Sequence, residues 1–318
     1  MAISAPEQGP SADLLALLAI LADGLPHPPC ALPLAAASLE KALAEAGHWG
    51  LPLQREEGGQ LRLHYPYPPL RAAAVAQGAG WDPALVVVLP WCDSSNERLR
   101  RLHPGPRALL CEGQWAGRGR RGRRWSSPFG RHLYLSLSWP VAALPEQGSV
   151  ALVAALSVYQ VLHSLGIPGL GVKWPNDLWV NERKLAGILV EAISQMGQPR
   201  LIIGLGLNVH ADPALPPGAV SLHDLDVKMD RNALAGGILA QWEADLRRYG
   251  EEGFTAFLSR WQEADCLAGR RVQVSAPNGV RHGRAQGIDM HGRLILEDES
   301  GLHTIAMGEA SLRPAAAP

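Results

Sequence analysis

The chain predicts an α+β protein: a mixed sheet with helices, a small winged-helix-like module before it and a small SH3-like β-barrel after it. Three observations carry this. Two helical stretches and a Gly-Gly hairpin open the chain. The central region combines strand-like runs with one helix that is apolar on nearly all sides, as suits a helix buried against a sheet. From Arg271 onward, short strands recur between turn signals at regular spacing.

In order, 13–23 and 33–48 read as helices, and LQREEGGQLRLHY as a hairpin turning at Gly58-Gly59. The prolines between Pro66 and Pro69 read as a linker. ALVVVLPW (84–91) reads as a buried strand, and HLYLSLSW (132–139) alternates like a second. Residues 149–165 form the all-round apolar helix. Short strands are expected around 171–174, 178–181 and 184–191, the last two joined by a tight turn at Asn181-Glu182-Arg183, and LIIGLGLNV (201–209) is another. Asp230 can cap a long helix that ends near Tyr249, with Gly250 as its stop signal, and Phe254, Phe257, Leu258 and Trp261 mark a short helix after it. VQVSA, GRAQGID, LILED and HTIAM, with turns at Pro277-Asn278-Gly279, His291-Gly292 and Ser300-Gly301, make the barrel. The expected domains are 1–68, 69–269 and 270–318.

Composition narrows the chemistry. The 318 residues are 47% hydrophobic with a net charge of −1, so the chain is globular and has no global positive field for nucleic acid or anionic membrane. The apolar run from Leu14 to Ala22 lacks a basic segment before it, and no stretch reaches the ~18–20 apolar residues of a membrane span, so a cytoplasmic protein is expected. Cys30, Cys92, Cys111 and Cys266 show no C-x-x-C spacing, and free thiols are the expectation. The eleven histidines suggest no metal set. Only four of 29 basic residues are lysine, yet Lys173 and Lys184 flank Asn176 and Asp177. A compact ammonium there suits phosphate or carboxylate oxygens that the wide arginine fork would not fit.

Two blocks carry the function. EGQWAGRGRRGRRWSSPFGR (112–131) frames Arg118, Arg120, Arg121 and Arg123 with Gly117, Gly119 and Gly122. Its G-x-G-x-x-G pattern is a weak dinucleotide signal, because Pro128, Gly130 and then a strand follow where a Rossmann helix would start. A cationic flap that folds over phosphates fits better, against the bland reading of a solvated basic loop. No G-x-x-x-x-G-K-[ST] exists in the chain. In VKWPNDLWVNERKLAGILVE (172–191), Pro175 fixes a bend, Trp174 anchors it, and Asp177 can contact Mg²⁺ or ribose. Gly204 and Gly206 open one strand face, Gly187 makes a similar gap, and Asn208 follows on the same face, so a ligand trough is expected. Asp93-Ser94-Ser95-Asn96 reads either as a helix N-cap or as hydroxyls for a small polar ring.

With these motifs in hand, the chain resembles the bacterial biotin–protein ligases, more closely the bifunctional kind that doubles as the biotin operon repressor. GRGRRGRRWSSPFG, KWPND, KLAGILVE and GLGLNV match in order and spacing, over roughly residues 84–313. The resemblance implies a sheet like that of class II aminoacyl-tRNA synthetases, and a reaction that converts biotin and ATP with Mg²⁺ to biotinyl-5′-AMP before transfer to a lysine of a biotin carboxyl carrier protein. It implies catalytic roles for Lys184, Arg120, Arg123, Lys173 and Asp177. Biotin contacts would come from Ser94, Ser95, Asn96, Gln114, Gly117, Arg118, Gly119, Arg120, Lys184, Gly187, Leu189, Gly204 and Gly206. ATP contacts would come from Arg120, Arg123, Trp125, Asn176, Asp177, Lys184 and Asn208, with Asp177 on the metal.

The chain departs from the family in three places. Ser95 stands where the family has Thr, which keeps a hydroxyl. Pro216 to Ser221 lacks the adenine-packing Trp of bifunctional members, and Ala219 takes its place. The N-terminal module is short by one helix, and residues 1–80 carry four basic against seven acidic side chains, which opposes DNA binding. A homodimer is implied by the family; a lipoate or octanoate ligase and a biotin-responsive repressor are the rival readings, with hydride transfer a distant third.

Overall fold

The computed structural model describes residues 9–102, 105, 107–145, 147–195, 197–276, 279–306 and 311–314. Ser11 caps α1 (Ala12–Leu21) by accepting the Leu14 N–H at 3.2 Å, and Leu14, Leu17, Leu18 and Leu21 form its buried stripe. One 3₁₀ turn, Pro29–Ala31, separates α1 from α2 (Ala36–His48). The hairpin of β1 (Leu53–Arg55) and β2 (Leu61–Leu63) turns at Gly58 and Gly59, with φ of 80° and 77°.

After α3 (Ala72–Ala79), the central region holds β3 (Val86–Cys92), α4 (Ser95–Arg101), β4 (Ala108–Gln114), β5 (Leu133–Pro140), α5 (Gln147–His163), β6 (Leu170–Lys173), β7 (Asp177–Val180), β8 (Arg183–Gln195) and β9 (Gln198–Leu207). They build a seven-stranded sheet in the order β3-β4-β5-β9-β8-β7-β6. Only β3 and β4 run parallel; the other pairs are antiparallel. The turn into β8 uses positive φ at Asn181 and Glu182 (47° and 65°), the geometry that suits a tight hairpin. The sheet's rear face carries the core: Leu133, Leu135, Leu137, Ile203, Leu205 and Ile188 lie in one apolar cluster with α5 and with α6 (Arg231–Glu252). Asp230 caps α6 by accepting the Asn232 N–H. Gly78 of α3 and Gly236 of α6 meet backbone to backbone; a Cβ added at Gly236 would lie 2.7 Å from the Gly78 Cα.

A 3₁₀ turn and α7 (Leu258–Ala264) lead to the C-terminal strands β10 (Arg271–Ala276), β11 (Gly279–Ile288), β12 (Leu294–Asp298), β13 (Gly301–Ile305) and β14 (Ser311–Pro314). They form an antiparallel five-stranded sheet in the order β13-β12-β11-β10-β14. Pro277, Asn278 and Met307, part of the expected barrel turns and strands, lie outside the described residues. The loop before β12 meets the central sheet, where the buried Trp174 indole donates to the Gly292 carbonyl at 3.1 Å.

Four expectations need correction. ALVVVLPW is a sheet edge rather than a buried strand, because β3 pairs only with β4 and only Val86 and Cys92 are fully buried along it. Gly250 does not stop α6, which runs on to a positive-φ Gly253. Gly250 sits in the last turns, where its cost is outweighed by the packing of Trp242 and Leu246 before it. No helix was expected at α3, whose run of alanines shows no strong apolar period. Pro66–Pro69 is no free linker: the Tyr67 hydroxyl donates to the Leu18 carbonyl at 2.7 Å, and Arg231 donates to the Pro68 carbonyl at 2.9 Å.

Arg231 also makes a buried 2.7 Å ion pair with Glu112, which in turn accepts the Leu70 N–H at 2.6 Å. Replacing one partner would leave an uncompensated buried charge. Glu112→Ala is therefore expected to lower stability by about 3–5 kcal/mol, read by urea unfolding; a loss below about 1 kcal/mol would mean that the pair is solvated in the native state.

Candidate functional site

The register of the central sheet sets up the site. Residues paired across a ladder share a face, so one row across the front face runs Cys111, Tyr134, Gly206, Gly187, Asp177, Lys173. The neighbouring row runs Leu109, Ser136, Gly204, Leu189. The residues expected to open a trough thus stand side by side on the strands in the middle of the sheet. Above them lies a cavity of about 220 Å³ whose walls include the N-terminus of α4, the arginine loop, and Leu215, Pro216 and Ala219 from the segment after β9.

One end of the cavity is a network of neutral polar groups. Ser94, Ser95, Asn96 and Gln114 line it. Ser94 stands at the N-cap position of α4, as the helix-cap reading has it, but its hydroxyl makes no cap bond to the helix. The Gln114 side chain accepts the Ser95 N–H at 2.7 Å and donates to the Ser127 hydroxyl at 2.8 Å. Ser136, buried on β5, donates to Asn96 Oδ1 at 2.6 Å, which leaves it to accept from the Ser95 hydroxyl at 2.8 Å. Asn96 Nδ2 donates to Glu191 at 3.0 Å. Ser136, Glu191 and Glu97 were not singled out from the sequence. Ser136 was legible as a polar residue at an inward position of an apolar alternating strand.

The other end is charged. Lys184 Nζ lies 2.7 Å from Asp177 Oδ1, and Arg120 donates to Asn176 Oδ1 at 2.9 Å. Burial holds the Arg120 guanidinium below the usual arginine range; Asp177 opposes that shift while Arg121 and Arg123 add to it. Asn176 donates to the Ile188 carbonyl at 2.5 Å, and Asn208 to the Val220 and Lys184 carbonyls at 3.1 and 3.3 Å. Both asparagines clamp backbone segments together at the cavity wall. The arginine loop is a compact hairpin: Gly119 N–H bonds the Arg123 carbonyl at 2.7 Å and Trp125 N–H bonds the Gly117 carbonyl at 2.9 Å. Arg118 bridges Glu97 and Glu191 at 3.2 and 2.9 Å.

The glycines have a more specific role than an open trough. A Cβ at Gly206 would lie 2.3 Å from the Trp125 ring, and one at Gly187 would lie 3.2 Å from it. A Cβ at Gly204 would fall 2.2 Å from Asn96 Oδ1. The bare strip therefore seats Trp125 and Asn96 and still borders the cavity. Lys184 Nζ sits 5.2 Å over the same indole.

Ser94, Ser95, Asn96, Gln114, Arg118, Gly119, Arg120, Arg123, Trp125, Asn176, Asp177, Lys184, Gly187, Leu189, Gly204, Gly206 and Asn208 all line the cavity. Two expected site residues do not. Lys173 shares the Asp177 row, but it stands on the edge strand and its ammonium lies 4.0 Å over the Trp179 ring. Gly117 sits behind the loop, where a Cβ would meet the Trp125 carbonyl at 2.5 Å and Ser127 Oγ at 2.6 Å, so it serves the hairpin's tight turn.

A carboxylate beside two cations at one end of a polar cleft suits an enzyme that joins an acid to a nucleotide phosphate. The model of the biotin/lipoate A/B protein ligase family matches residues 94–208, and that of the biotin protein ligase C-terminal domain matches residues 268–313. The chain belongs to the biotin–protein ligase family. It is 35% identical over 315 residues to the bifunctional ligase/repressor BirA of Escherichia coli, covering 95% of this chain and 97% of that protein. It is 33% identical over 234 residues to the biotin–[acetyl-CoA-carboxylase] ligase of Paracoccus denitrificans, covering 68% and 96%. Among solved structures, the Aquifex aeolicus biotin protein ligase in complex with biotin and ATP superposes with a TM-score of 0.66 at 29% identity, covering 72% of this chain and 99% of that one.

Next to the cavity, buried Cys92, Cys111 and Tyr134 form a small cluster against which Trp125 packs. Burial pushes the Cys111 thiol well up and the half-buried Cys266 thiol up to about 12. A thiol reagent at neutral pH is expected to modify exposed Cys30 alone in the native protein and all four cysteines after unfolding. Fast native labelling of Cys92 or Cys111 would refute their burial.

Proposed function

We propose that this protein is an ATP-dependent biotin–protein ligase that modifies the carrier subunit of acetyl-CoA carboxylase. The observation that carries the reading is the cavity's polarity: neutral hydrogen-bonding groups at one end and Lys184, Arg120 and Asp177 at the other. The neutral end suits a ureido ring, held by Ser94, Ser95 and Gln114 against the Trp125 indole. The charged end suits a carboxylate meeting a polyphosphate.

In the first step a biotin carboxylate oxygen bonds to the ATP α-phosphorus, and the bond to pyrophosphate breaks. Negative charge gathers on the α-phosphoryl oxygens, where preorganised and partly desolvated cations stabilise it most. Lys184 and Arg120 supply them, and Arg123 at the loop's open side attends the leaving phosphates. In the second step a carrier lysine amine attacks the acyl carbon, AMP leaves with the bonding pair, and the amine gives up its proton. Closure of the arginine loop keeps water from the anhydride. Among the described residues no group of three or more His, Cys, Asp or Glu side chains could hold a metal. Asp177 by itself suits Mg²⁺ that arrives on the nucleotide phosphates.

The N-terminal module supports a structural role. Two of its three Lys and Arg side chains are engaged with acids, Arg55 with Glu40 at 2.8 Å and Arg62 with Glu56 at 2.8 Å. Glu45 on α2 accepts from both the backbone and the hydroxyl of Ser11. Phosphates would have to break these pairs to bind. Trp49 lies 4.9 Å from Trp91, which stacks on Phe129 at 4.9 Å, so the module is seated on the central region by aromatic contact. We propose that DNA repression is weak or lost; tight, biotin-dependent binding of the protein to its own biotin-gene promoter would reverse that. Homodimerisation is likewise proposed, through an edge of the central sheet, and a strict monomer in sedimentation with biotin and ATP bound would remove it.

ATP–pyrophosphate exchange with MgATP is expected with biotin and not with lipoate or octanoate. Exchange with lipoate alone would move the protein to the sister ligases. Lys184→Met is expected to lower kcat of the exchange by about 10²–10³; an unchanged kcat would take Lys184 out of the chemistry. Gly206→Ala must displace Trp125 and is expected to weaken biotin binding by about tenfold or more with the fold retained. Unchanged affinity by titration calorimetry would show that the indole does not border the acid.

A further inference from the structure

The segment that closes the nucleotide end of the cavity is fastened from below by a buried His–Asp pair. His132 stands just before β5 and is fully buried. Its Nδ1 accepts the Val209 N–H at 3.2 Å, so the neutral ring carries its proton on Nε2, which faces Asp212 Oδ2 at 3.5 Å; the contact is longer than a hydrogen bond, and among the described residues neither atom has a hydrogen-bond partner, so each is the other's polar neighbour. Burial holds the imidazole below its ordinary range, so the ring is neutral at neutral pH. Asp212 remains ionised: burial raises its pKa, but His132, the Ala214 N–H and Arg131 together outweigh that and lower it. Asp212 also starts a turn, accepting the Ala214 N–H at 2.8 Å on its side chain and the Leu215 N–H at 3.1 Å on its carbonyl. That turn delivers Leu215 and Pro216 to the cavity wall. Arg131, beside His132 in the chain, lies 3.7 Å over the ring of Tyr65, which comes from the end of the N-terminal module.

We infer that Asp212 is a positioning residue for the nucleotide: latched to His132, it holds the 210–219 segment in place so that Leu215, Pro216 and Ala219 form a ready-made wall for the base. The inference rests on the ligase reading for the identity of the nucleotide, not for the latch itself. The wall here is aliphatic and offers a base no aromatic partner. Order supplied by the protein itself therefore matters more, and the His132–Asp212 contact lies at the root of the segment. Pre-ordering the segment removes an entropic cost from ATP binding and leaves the acid end untouched.

Two variants separate the latch from the turn. Asp212→Ala removes both. Asp212→Asn keeps an oxygen for the Ala214 N–H but turns its NH₂ toward the His132 N–H, which breaks the latch alone. Amide hydrogen exchange in the ligand-free protein is expected to quicken by about tenfold across 210–219 in both variants, with β5 and β9 unchanged. In the exchange assay both variants are expected to raise the KM for ATP by about fivefold, with the KM for biotin within about twofold of the parent. Full rescue by Asp212→Asn would reduce Asp212 to a turn residue and overturn the inference. So would unchanged amide exchange, or equal increases in both KM values. A parent protein inactive with every acid would sink the ligase reading, and amide exchange would still decide the latch.

Discussion

Everything at the front of the sheet depends on the close approach that Gly206 and Gly187 allow across one ladder. With side chains at both positions, the indole of Trp125 could not approach the strands as closely as it does. The cost is a weakened strand interior. It is borne in the middle of the sheet, where β8 and β9 are long and their rear faces carry the apolar core. The cavity is therefore made by removing side chains from the most stable part of the fold rather than by opening a loop at its edge.

Much of this was legible in the sequence because the signals were local. Glycines two apart in an apolar run mark one face of a strand wherever that strand lies. Arginines framed by glycines, and lysines beside Asn-Asp in a lysine-poor chain, name the charge the site must meet. Register was not legible. Nothing in KWPND says that Lys173 falls on an edge strand with Trp179 beneath its ammonium, and only the ladder shows it. The same holds for Ser136, Glu191 and His132, whose partners lie 40 or more residues away in the chain. Burial of β3 was misjudged because three valines read alike in an edge strand and an interior one.

Charge is distributed unevenly over the molecule, and the unevenness is orderly. Surface arginines of α4 are matched at short range to Glu97 and Asp93, exposed pairs that add little to stability. The buried pairs do different work. Arg231–Glu112 ties the end of the N-terminal module to the central sheet, and Asp212 faces the neutral His132 ring behind a cavity wall. Lys184 and Asp177 offset each other at the reactive end, and Arg120 leaves that end net positive to meet a phosphate.

The Trp174 hydrogen bond to Gly292 has a consequence for the whole chain. The indole of an active-site motif is spent on the C-terminal barrel. A barrel that swung away would leave a buried N–H without an acceptor and empty the space that the loop fills beside Leu152 and Phe254. The catalytic region and the barrel are thus one cooperative block. Melting should show a single transition for both, and the barrel is a poor place to cut the chain when a minimal enzyme is wanted.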